Sequence, residues 1–227
     1  MTMRIAVAIS GRGSNLEALL RTLRPGAPAK VVLVISDRAD AAGLNHARTR
    51  GIPAQVLPNA ADPTAWLELL KQHEVDLVVL AGYLQLVPAP VIAAYRGMII
   101  NTHPALLPAF GGKGMYGERV HRAVLASGAR ETGVTIHLVD EVYDRGEVLA
   151  QVRVPVQAGD DARRLAARVL EVEHQLLPAA VLAAAAAGRP VPFELGAESR
   201  ESGVRSQESQ AERGDPTPRS RLLTPDS

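Results

Sequence analysis

The stretch that decides the fold is Arg4-Ile5-Ala6-Val7-Ala8-Ile9, which turns through Ser10-Gly11-Arg12-Gly13-Ser14-Asn15 into a segment carrying Leu16, Leu19, Leu20 and Leu23. The first run reads as a short strand. The leucines recur at helical spacing and share one face. A strand that reaches a helix through a glycine-rich turn is the opening unit of a parallel sheet.

The same rhythm continues downstream. Further strands are expected at Lys30–Ile35, Ala54–Leu57, Asp76–Ala81 and Met98–Asn101, with helices at Ser14–Leu23, Ala41–Arg50, Pro63–Lys71 and Pro88–Tyr95. Val32-Leu33-Val34-Ile35 and Leu77-Val78-Val79-Leu80 are apolar throughout, as strands covered on both faces should be. After residue 103 the pattern changes. A helix over Glu118–Ser127 precedes two β-rich runs, Gly133–Val139 and Glu147–Val154, joined around Asp144-Arg145-Gly146. That is a hairpin signal. A long helix from Asp161 to about Ala187 follows, kinked or split at Pro178. The expected fold is α/β: a three-layer, mostly parallel twisted sheet with helices on both faces and an antiparallel hairpin near its C-terminal part.

Length and composition suit one domain over 1–195. The 227 residues are 47% hydrophobic with a net charge of +1, so a core can form and no bulk charge argues for nucleic acid. No cysteine is present, which excludes disulfides and thiolate chemistry. Met1-Thr2-Met3 leads into a run too short for a signal peptide, and no uninterrupted apolar run reaches membrane length. The expectation is therefore a cytoplasmic chain, monomer or homodimer, with neither membrane nor nucleic acid as partner. Residues 196–227 are rich in Ser, Glu, Arg, Gln, Pro and Gly, and read as a disordered tail.

Two constellations carry chemistry. The first is Asn101-Thr102-His103-Pro104-Ala105-Leu106-Leu107-Pro108, with Asp144 far downstream. Asn101 and His103 lie two apart at the end of a strand and so point to one side. An amide can donate to a developing oxyanion, an imidazole can donate or shuttle a proton, and a carboxylate can orient the imidazole or accept a proton. The prolines stiffen the backbone around His103, and Leu107-Pro108 is a candidate cis bond.

The second is the first turn. Gly13, Ser14 and Asn15 open a helix whose free N–H groups and dipole favour a phosphate. The same residues suit an ordinary turn in which Ser14 or Asn15 caps the helix. A dinucleotide-binding oxidoreductase is the competing class: Gly11 and Gly13 supply two of its glycines, and Asp37 could hold a ribose. Leu16 stands where that fingerprint needs a third small residue.

Taken together, Gly11-Arg12-Gly13-Ser14-Asn15, Asn101-x-His103-Pro104-x-Leu106-Leu107-Pro108 and His137-x-Val139-x4-Asp144-x-Gly146 resemble the folate-dependent formyltransferases, most closely the glycinamide ribonucleotide formyltransferases of purine biosynthesis. The resemblance covers roughly Arg4 to Pro192. It implies formyl transfer from 10-formyltetrahydrofolate, a cosubstrate, to the amine of glycinamide ribonucleotide, with no metal. Hydrolysis of the same folate is the sister reaction.

By that resemblance Asn101 and His103 donate to the oxyanion, and Asp144 pairs with His103, favouring its cationic form. Gly13, Ser14 and Asn15 take the phosphate, and Glu173 of the pair Glu173-His174 takes the ribose hydroxyls. Tyr83, Leu84, Gln85 and Leu86, with Val139, Asp140 and Glu141, border the folate. The family often has a basic residue where Gln85 stands, and Leu84 and Leu86 also suit a core strand end. His137 belongs to the pattern as a contact or as a support beneath the site. Gly112, Lys113 and Gly114, in a long glycine-rich loop, are a candidate lid.

Overall fold

The computed structural model describes residues 2–196, and the expected tail lies outside the described residues except for Gly196. The order of elements is β1 (Met3–Ile9), α1 (Ser14–Thr22), β2 (Ala29–Ser36), α2 (Gly43–Arg48), β3 (Ala54–Val56), α3 (Pro63–Gln72) and β4 (Leu77–Leu80). Then come α4 (Ala89–Ala94), β5 (Ile99–His103), α5 (Glu118–Ala126), β6 (Glu131–Leu138), β7 (Val148–Pro155) and α6 (Ala162–Ala187). The strands form one seven-stranded sheet in the order β3-β2-β1-β4-β5-β6-β7. The pairings from β3 to β5 are parallel, while β6 runs antiparallel to both β5 and β7. The expected α/β fold is the one observed.

Side chains on the two faces of the sheet form two cores. Ile5, Val7, Ile9 and Ile100 join residues of α1, α2, α5 and α6 on one face. Ala6, Ala8, Leu33, Ile35 and Ile99 join Trp66, Leu70, Val91 and Ile92 of α3 and α4 on the other. The whole of β4 is buried, which is why its sequence is continuously apolar rather than alternating.

Local signals set the helix ends. Asp62 accepts the N–H groups of Thr64 at 2.9 Å and Ala65 at 3.3 Å, and Pro63 follows at the first helical position. Asp161 caps α6 through the Arg164 N–H at 2.7 Å, and Gly188 ends it in the left-handed region.

Of the kink or split expected at Pro178, the split does not occur: one helix of 26 residues runs through it. Leu176, Leu177, Ala180 and Val181 on either side are buried in the core, and this packing outweighs one missing N–H donor. By length and composition α6 is also apolar enough to cross a membrane, although no single run of its sequence suggested so. Its apolar stripe instead meets α1, α5, β6 and β7.

The sheet order places β1 between β2 and β4: the chain runs outward from β1 through β2 to β3 and then crosses back over β1 to β4. The crevice at such a switch point, beyond the C-terminal strand ends, is where open α/β sheets take ligands. Ser10, just past β1, joins the two turns there: its N–H donates to Gly82 O at 3.1 Å and its hydroxyl accepts the Leu84 N–H at 2.9 Å.

Candidate active site

A cavity of about 1050 Å³ occupies this crevice. One wall is the first turn. Gly13 caps α1 with φ 75°, and no side chain caps the helix, so the alternative of Ser14 or Asn15 as cap does not hold. Side-chain space is closed there too: a Cβ on Gly13 would stand 2.7 Å from Gly43 Cα. Gly43 in turn donates its N–H to Gly11 O at 3.0 Å, bracing the turn against α2. Glu17 N–H bonds to Gly13 O, so the N–H groups before it in the first turn have no helical acceptor, and Ser14 and Asn15 line the cavity.

The two-residue alternation of β5 sorts its side chains. Asn101 and His103 share the face of Ile99, and Thr102 shares that of Ile100. Asn101 Nδ2 donates to His137 Nε2 at 3.0 Å, while His137 Nδ1–H donates to Leu138 O at 2.7 Å. A carbonyl can only accept, so the second bond fixes the tautomer that lets Nε2 accept from Asn101. His137 therefore acts from beneath, orienting the amide and leaving its other N–H free.

His103 is buried. Its Nε2–H donates to Phe110 O at 2.9 Å, and its Nδ1 stands 3.6 Å from Asp144 Oδ2. Burial pushes the imidazole pKa below its ordinary value, outweighing the opposing pull of Asp144 and the Phe110 carbonyl. Asp144 does favour the cationic form, as expected, but desolvation outweighs it and the net shift is toward the neutral ring.

Asp144 has φ 56° and sits on the connection between β6 and β7. Burial raises its pKa, but the facing His137 and His103 and the Gly112 N–H, 2.8 Å from Oδ2, outweigh that and hold the group below the usual carboxylate range. The site pairs an ionised carboxylate with a neutral imidazole.

Glu173, on α6, is buried and not on a solvated flank. It accepts from Thr102 Oγ1 at 3.3 Å. Burial drives its pKa up to about 7, only partly opposed by Thr102 and Asn15.

The segment after β4 borders the cavity. Leu84 and Leu86 are 40% and 42% exposed and line it, so they are not core side chains. Gln85 also lines it and donates to Asp37 Oδ2 at 3.2 Å, which takes one oxygen of the carboxylate that a dinucleotide ribose would need. Leu16, in the third glycine position, is fully buried. Tyr83, Val139 and Asp140 line the cavity as well. Glu141 is exposed and does not. Its neighbour Val142 does, 55% exposed, at a position the motif pattern did not single out.

Gly112, Lys113 and Gly114 form part of the wall, on the loop whose Phe110 and Gly112 hold His103 and Asp144. Leu107-Pro108 is cis. His121 of α5 also reaches the wall, buried, with no partner for Nδ1. A single polar residue on an apolar helix stripe was its only sequence signal. Among the described residues no His, Cys, Asp and Glu cluster could hold a metal ion.

Comparison with known proteins agrees with this architecture. The family model described as formyl transferase matches residues 3–181. A chloroplastic phosphoribosylglycinamide formyltransferase of Vigna unguiculata is 48% identical over 180 residues, which are 76% of this chain and 58% of that protein. The chain thus spans a little over half the length of that relative. A solved phosphoribosylglycinamide formyltransferase from Brucella melitensis is 44% identical with a TM-score of 0.74, covering 82% of this chain and 97% of that one. A glycinamide ribonucleotide transformylase from Symbiobacterium toebii is 41% identical with a TM-score of 0.76, covering 82% and 89%. With sheet order, cleft and family model in agreement, the chain belongs to the formyl transferase family.

Proposed function

We propose that the chain transfers the formyl group of 10-formyltetrahydrofolate to the amine of glycinamide ribonucleotide, without a covalent enzyme intermediate. The observation that carries this reading is one cavity lined both by Asn101, His103 and Asp144 and by the Gly13–Asn15 turn. The phosphate binds at the free N–H groups of α1, and Glu173 accepts from the ribose hydroxyls. The folate lies along Leu84, Leu86 and Val142, whose exposed aliphatic surface is otherwise unexplained.

The amine attacks the formyl carbon, forming a C–N bond and moving the carbonyl electrons onto oxygen. The free N–H of Asn101 donates to that oxyanion. Asp144, ionised, takes the amine proton directly or through water. Collapse breaks the bond to the folate nitrogen, which takes the proton held by Asp144, directly or through the same water, and so returns Asp144 to its ionised form. His103 Nε2–H joins the oxyanion donors once the Phe110 carbonyl moves aside, so opening of the 109–117 loop is part of the cycle. Each oriented donor contributes roughly 3 kcal/mol to the transition state.

The same reading carries a cytoplasmic enzyme, monomer or homodimer, folded over 1–195. Incubation with both substrates tests it: formylated ribonucleotide is expected. Formate released without an acceptor would point to hydrolysis instead.

A further inference from the structure

Three elements converge on the Glu173 carboxyl. It projects from α6, it receives the Thr102 hydroxyl from β5 at 3.3 Å, and the Asn15 side chain approaches it from the first turn of α1. All three residues are buried, and all three line the cavity. Thr102 stands directly between Asn101 and His103 in the chain, yet on the opposite face of the strand.

That face is otherwise apolar, since Ile100 precedes Thr102 on it and lies in the core against α1 and α6. An aliphatic side chain would satisfy the packing. A hydroxyl there is costly unless paired, and its partner is a carboxylate rather than backbone. Asn15 Oδ1, by contrast, is buried without a partner in the same wall. The carboxyl is thus held from the protein side while acceptors remain for a ligand's hydroxyls.

We propose that Thr102 is a positioning residue for the ribonucleotide: its hydroxyl holds Glu173 against β5 and so ties the ribose end of the cavity to the strand bearing Asn101 and His103. This rests on the substrate reading above. Thr102 touches no reacting atom. It sets where Glu173 accepts, and with it how the amine arrives beside the formyl carbon.

The test compares wild type, Thr102→Val and Thr102→Ser. Valine keeps the β-branched shape and removes the hydroxyl, and serine keeps the hydroxyl on a smaller side chain. Calorimetric binding of glycinamide ribonucleotide alone is measured beside steady-state kinetics. For Thr102→Val the dissociation constant and the ribonucleotide KM should rise roughly tenfold, the size of one hydrogen bond to a carboxylate. The KM for the folate should hold, kcat should fall by a smaller factor, and serine should restore most of the binding. Valine binding as wild type does, or serine no better than valine, would overturn the role of Thr102. Wild type that binds no ribonucleotide would overturn the substrate reading as well.

Discussion

His103 turns Nδ1 toward Asp144 Oδ2 at 3.6 Å, while one loop grips both residues through the Phe110 carbonyl and the Gly112 N–H. Two downward shifts follow, with different causes. Burial lowers the His103 pKa, and contacts lower that of Asp144 in spite of its burial. His103→Ala and Asp144→Asn should each reduce turnover by about 10² to 10⁴, with melting temperatures close to wild type. Activity within a few-fold of wild type in either variant would remove that residue from the chemistry.

The tautomer is directly observable. Nitrogen-resolved NMR of the histidines should show His103 neutral at pH 7, protonated on Nε2, with a midpoint below the ordinary imidazole value. Asp144→Asn removes a group that raises this pKa, so the midpoint should fall further. A midpoint that rises on that substitution would contradict the described geometry.

Glu173 gives a pH signature. Its pKa is about 7 in the fold against an ordinary 4.5, so the fold favours the protonated form. That contribution is complete below about 4.5 and is lost as pH rises through about 7. The integrated effect is of the order of a few kcal/mol. Wild type should therefore lose stability between pH 5 and pH 8, and Glu173→Gln should lose less. Denaturant melts of both proteins at the two pH values check this, and parallel losses would argue against the shift.

The first turn should govern binding rather than chemistry. Gly13→Ala places a Cβ at positive φ and against Gly43, so the turn must move. The ribonucleotide KM should rise at least tenfold, as it should in Ser14 or Asn15 variants, with a smaller change in kcat. An unchanged KM would place the phosphate elsewhere.

What was legible in the sequence was whatever depends on periodicity. Leu33–Ile35 and Leu77–Leu80 are buried stretches in which nothing polar interrupts, and Asn101 and His103 share a face because strands alternate. The family resemblance also implied that Asp144 meets His103 across a long chain separation, as it does. Quantities set by three-dimensional surroundings were not legible. The His103 pKa depends on how completely the ring is desolvated, and the pairing of Thr102 with Glu173 joins residues 71 positions apart. Pro178 follows the same rule, since neighbouring core contacts decide whether a helix survives a missing donor. Glu141 and Val142 differ by one position in a loop without periodicity, and only the fold says which one faces the cavity.

The central claim is that Asn101, His103 and Asp144 act on a folate formyl group delivered to a phosphorylated amine. Single-turnover assay of wild type and Asp144→Asn with 10-formyltetrahydrofolate and glycinamide ribonucleotide tests it most directly. The account predicts stoichiometric formylated ribonucleotide from wild type and a rate at least about 10²-fold lower from the variant. Equal rates from the two proteins, or no formylated ribonucleotide from wild type, would contradict it.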